Sequence, residues 1–159
     1  MNLKEMIMKT SIARIFTMAA VTALVLGVAP TAKASDKGCS NASLHGTFAD
    51  RDTGFLTAPP AMAGPFNGVS TQTYDGNGAV TATGMVSLNG NIVSITSKGT
   101  YTVNQDCTGT YTVEISPIGL TAHGFFVLAD NGNELHILVS DPGTSISCLA
   151  RKLYPGKNI

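Results

Sequence analysis

From residue 92 to residue 115 the chain alternates apolar and polar positions with a period of two. Val93, Ile95, Tyr101, Val103, Tyr111, Val113 and Ile115 fall on one face, and Thr96, Thr100, Thr102, Thr110, Thr112 and Glu114 on the other. Successive side chains of a strand point to opposite faces, so this is the pattern of a half-buried β-strand. The run is interrupted by Gln105-Asp106-Cys107-Thr108-Gly109, which reads as a turn. The segment therefore predicts two paired strands, apolar inside and hydroxyl-rich outside.

The same unit recurs along the chain. Strands are predicted to open at residues 44–48 and to run over residues 66–74, 79–88, 120–129, 134–140 and 145–153. Between them stand Asp75-Gly76-Asn77-Gly78, Asn89-Gly90, Pro117-Ile118-Gly119, Asp130-Asn131-Gly132-Asn133 and Asp141-Pro142-Gly143. Gly and Asn accept positive φ at little cost and Pro stops a strand, so each cluster predicts a tight connection. Residues 53–65 are the exception. Pro59-Pro60 and Gly64-Pro65 exclude a central strand there, leaving a loop of about ten residues whose Phe55, Leu56 and Met62, with Phe66 just beyond, are apolar. Such a loop either lids a cavity or packs its own side chains onto the fold.

Eight strands joined by hairpins, with no convincing helix, predict an all-β domain. Either the sheet closes as an antiparallel up-and-down eight-stranded β-barrel or it splits into a β-sandwich. Short connections favour the barrel, because a Greek-key sandwich needs long crossovers. Closure also removes the edges that weakly charged, Thr-rich strands would expose. At eight strands the interior is either filled by side chains or holds one small ligand.

The N-terminal segment follows a different pattern. Lys4, Lys9 and Arg14 precede an apolar run over residues 15–28, and Ala32-Lys33-Ala34 supplies small residues. This predicts a signal peptide, residues 1–34, cleaved after Ala34, and a β-barrel domain over residues 35–159. The expected location is secreted or periplasmic, in the bacterial style. Cleavage removes four of the 10 basic residues and one of the 10 acidic ones, leaving six and nine and a net charge of −3. Nothing in that balance points to nucleic acid or an anionic membrane, and no membrane insertion of the mature chain is expected.

Cys39, Cys107 and Cys148 enter a compartment that permits disulfides. An odd count allows one bridge and one spare thiol. Cys39 and Cys107 sit outside the regular alternation, where geometry can adapt, and are the expected pair. Cys148 lies within an apolar strand and reads as a small buried hydrophobe.

Chemistry is sparse. The face assigned to the interior carries a polar head only at Tyr101 and Tyr111. His45, His123 and His136 are the only histidines and lack metal-ligand spacing; His123 and His136 are candidate cross-strand neighbours on the outer face or a barrel mouth. Asp50, Arg51 and Asp52 read as a solvated cluster on the rim beside the loop. No serine stands in a nucleophile elbow. Neither catalytic residues, a metal nor a cofactor is expected.

The chain resembles a known family in its turn motifs. Cys39-Ser40-Asn41-Ala42-Ser43-Leu44, Tyr74-Asp75-Gly76-Asn77-Gly78, the run from Gly99 to Thr110 and Ser140-Asp141-Pro142-Gly143-Thr144 are similar to small secreted bacterial proteins, mostly uncharacterised, grouped with the allene oxide cyclase barrel-like domains. The resemblance spans nearly the whole mature chain and implies an eight-stranded barrel and the Cys39–Cys107 pair. Allene oxide cyclase closes a reactive fatty-acid epoxide by holding it in an apolar barrel, but no matching residues carry that activity here. The expected role is binding of a small apolar molecule, with Tyr101, Tyr111 and Phe126 in the interior and Phe55, Met62 and Phe66 at the lid as contacts. The alternatives are a cyclase or isomerase acting by confinement, and a structural or interaction protein using its Thr-rich outer surface.

Overall fold

A computed structural model describes residues 38–154; the signal peptide and cleavage after Ala34 expected from the sequence lie outside them. Eight strands follow one another: β1 (His45–Leu56), β2 (Gly64–Asp75), β3 (Ala79–Leu88), β4 (Asn91–Val103), β5 (Thr108–Ser116), β6 (Leu120–Ala129), β7 (Glu134–Val139) and β8 (Thr144–Lys152). Each pairs antiparallel with the next, and β8 returns to pair with β1, from Leu56 opposite Thr144 to Phe48 opposite Lys152. The sheet is a closed up-and-down barrel, and the sandwich is excluded.

The turns follow the residue chemistry. Asp75 Oδ1 accepts backbone N–H groups of Asn77 at 2.7 Å and of Gly78 and Ala79 at 2.9 Å. These donors, Ala79 foremost, hold the Asp75 carboxyl below its ordinary pKa. Strand boundaries match the alternation at β3 and β6. The largest departure is β1, which continues to Leu56, so the irregular loop shrinks to residues 57–63 with a short 3-10 turn over Pro60–Met62.

The two ends of the barrel differ. One is plugged by the segment before β1. A Cys39–Cys107 disulfide, with a sequence separation of 68, ties this segment to the β4–β5 turn. Val103 donates its N–H to Asn41 Oδ1 at 2.8 Å, and the Tyr101 hydroxyl donates to the Leu44 carbonyl at 2.8 Å. Under the plug, Leu44, Phe48, Tyr101, Val103, Phe126, Leu128 and Leu135 are buried. At the other end, residues of the same inward parity, Val93, Ile95, Val113, Ile115 and Val139, keep partial exposure. A face that is inward yet accessible means the barrel is packed in one half and hollow in the other.

Among the described residues, no helix is long and apolar enough to cross a membrane. The disulfide fits an oxidising compartment.

Candidate functional site

The hollow half encloses a cavity of about 520 Å³, within the range of small-molecule sites. Its walls are aliphatic: Val86 and Leu88 from β3, Ile95 from β4, Val113 and Ile115 from β5, Ile137 and Val139 from β7, and Ile146 from β8. The mouth lies between Ala58, Pro59 and Met62 of the loop, Ile118 of the β5–β6 turn and Pro142 of the β7–β8 turn. The loop is tied to that last turn, since Thr57 donates its N–H to the Gly143 carbonyl at 2.7 Å.

The six residues expected to meet a ligand divide. Tyr111, Met62 and Phe66 line the cavity. Tyr101 and Phe126 are 3% and 1% exposed within the packed half, below the chamber rather than on its wall. Phe55 points outward, 46% exposed, because β1 extends through it and parity sends it to solvent. Tyr111 stands opposite Gly124 on β6, and its ring occupies the space a Cβ there would take.

The floor carries what the alternation did not reveal. Because β1 is long, the Asp50-Arg51-Asp52 run is a strand segment: Arg51 faces solvent while both carboxyls face the lumen. The expectation of a solvated rim cluster is thus overturned for both acids. The interior holds more polar heads than Tyr101 and Tyr111. Gln72 donates through Nε2 to Asp50 Oδ2 at 2.7 Å, and the Tyr74 hydroxyl donates to Gln72 Oε1 at 2.6 Å. The Tyr74 ring is held edge-on to Phe48 and Tyr101, with centroids 5.4 and 5.2 Å away. Asp52 stands opposite Gly68 on β2 and Cys148 on β8. Its Oδ2 lies 2.6 Å from where a Gly68 Cβ would be, so the missing side chain makes room for the carboxyl.

Asp50 is 5% exposed, and its Oδ1 is buried with no hydrogen-bond partner. Burial, then the charge of Asp52 and a hydrogen bond with it, push the Asp50 pKa up to about 8. Two adjacent carboxyls in an apolar site do not both ionise readily, so Asp50 retains its proton at neutral pH. Cys148 is a free thiol on the same floor. Burial, then the Asp52 charge, raises its pKa strongly, which keeps it a thiol rather than a nucleophilic thiolate. Burial, followed by Cys148, likewise raises the Tyr111 phenol.

Among the described residues, Asp50, Asp52 and Cys148 are the group whose potential metal-ligand atoms converge, all within 4.8 Å of one another. The histidines do not join them and are exposed on the outside. His123 and His136 are not opposite each other: His136 pairs with Val127, and the His123 carbonyl accepts from Ser140. His123 Nδ1 lies 2.7 Å from Asp141 Oδ1, and His136 Nε2 lies 2.8 Å from Glu134 Oε1.

Compared with protein-family models, with curated proteins and with solved structures, the chain matches none.

Proposed function

We propose that this chain is a secreted or periplasmic barrel that binds a small, mostly apolar molecule in its hollow half. The carrying observation is the cavity of about 520 Å³, walled by aliphatic side chains and closed below by a packed, disulfide-tied plug. A chain without a guest would gain dispersion contacts by filling such a space. The turn motifs and the barrel together support membership of the allene oxide cyclase barrel-like family, and the disulfide supports export. Incubation with an environment-sensitive apolar dye, with native mass spectrometry of protein from its own host, tests the binding. Saturable dye uptake or a co-purifying small mass is expected. An empty barrel by both measurements overturns the reading.

A cyclase or isomerase is the second reading, favoured by the acid pair on the floor. A buried carboxyl that keeps its proton near neutral pH, facing an apolar cavity beside a second carboxyl, is equipment suited to general acid catalysis.

A further inference from the structure

The cavity is apolar and also electrically one-sided. Three acids line it, Asp50 and Asp52 at the floor and Asp141 near the mouth; both Asp141 oxygens are engaged by His123, so the free acceptors are those of the floor, and among the described residues no Lys, Arg or His lines the cavity. Gln72 gives Asp50 one hydrogen bond, and the Tyr74 hydroxyl is spent on Gln72. The buried Oδ1 of Asp50 receives no hydrogen bond from a neighbouring donor group, and only a proton shared with Asp52 can serve it. Even with one shared proton, the floor presents negative charge and unfilled acceptor positions in a low-dielectric chamber, where an unpaired charge is costly.

We propose that the natural guest is a hydrophobic cation, an amine whose ammonium group sits against Asp50 and Asp52 while its apolar body fills the chamber towards the mouth. This rests on the cavity-binding reading above and names the class of ligand. An ammonium group brings three donors and a positive charge to a site that has acceptors and negative charge. The Tyr111 ring on the same floor suits a cation as well. A guest of the same length ending in a carboxylate would meet like charge, and one ending in a hydroxyl would supply a single donor without charge. A divalent metal on Asp50, Asp52 and Cys148 would also neutralise the floor, but it leaves the aliphatic chamber above it without an occupant.

The test uses the mature chain loaded with a neutral apolar fluorescent dye at pH 7. Decylammonium, decanol and decanoate compete at concentrations below micelle formation. Their tails are equal, so the ranking reads the head group. Decylammonium is expected to displace the dye at a concentration at least about tenfold lower than decanol, with decanoate weakest. In an Asp50→Asn/Asp52→Asn variant that ratio of amine to alcohol should collapse towards one. The wild-type ranking decides the matter even where the variant does not fold. Equal displacement by amine and alcohol, or a preference for decanoate, overturns the inference while leaving the cavity reading standing. Stoichiometric metal in the host-derived protein, released only by a chelator, also overturns it. Failure of the dye to enter removes the cavity reading and this inference with it.

Discussion

Asp50 is the residue at which sequence and chemistry part most sharply. Its folded-state pKa of about 8 lies above its unfolded value, so the folded protein binds more protons between roughly pH 4 and pH 8. Stability must then fall as pH rises through that window and level off above it. Asp50→Asn should flatten this slope and raise stability at pH 8 by about 1–3 kcal/mol, as urea denaturation between pH 4 and pH 9 would show. Gly68 gives a second check. Gly68→Ala places a methyl against Asp52 Oδ2 and should cost about 1–3 kcal/mol, with much of the loss recovered in a Gly68→Ala/Asp52→Ala double variant measured by equilibrium unfolding. None of this was legible in the sequence. Three adjacent charged residues ordinarily signal solvent, and only the length of β1 reveals that alternate members turn inward.

Secondary structure is legible in the sequence because its signals are local. The turns from Asp75 and from Asp130 carry residues suited to left-handed backbone, and Asn131 and Gly132 do adopt positive φ; the strands between them alternate cleanly. The loop of residues 57–63 is shorter than the prolines alone suggest, because a proline acts chiefly on itself and the residue before it, and β1 runs on through Thr53 to Leu56. The Cys39–Cys107 bridge joins the two cysteines that stand outside the alternation. Its reduction, or Cys107→Ser, should cost roughly 4 kcal/mol in the chain-entropy model, read as a lower denaturation midpoint. The plug should then open first: amide exchange at Leu44 and Val103 is expected to accelerate before exchange in β3.

At the scale of the molecule, closure is what the meander implied and what the β1–β8 ladder delivers. A closed barrel has no edge strands, so β1 and β8 amides should resist exchange as well as those of β4 and β5, measurable by hydrogen exchange. What the pattern of positions could not show was the division into a filled half and an empty one. Inward parity is the same in both halves, and only the three-dimensional sum of side-chain volumes separates them. The plug has one more consequence. A blind tube with its doorway at the far end would make the proposed amine enter head first and leave its tail to be gauged against a fixed depth. Along a homologous series of linear amines, affinity should climb with each added methylene, by at most about 0.8 kcal/mol, until the tail protrudes past Pro59 and Pro142, after which further lengthening gains nothing.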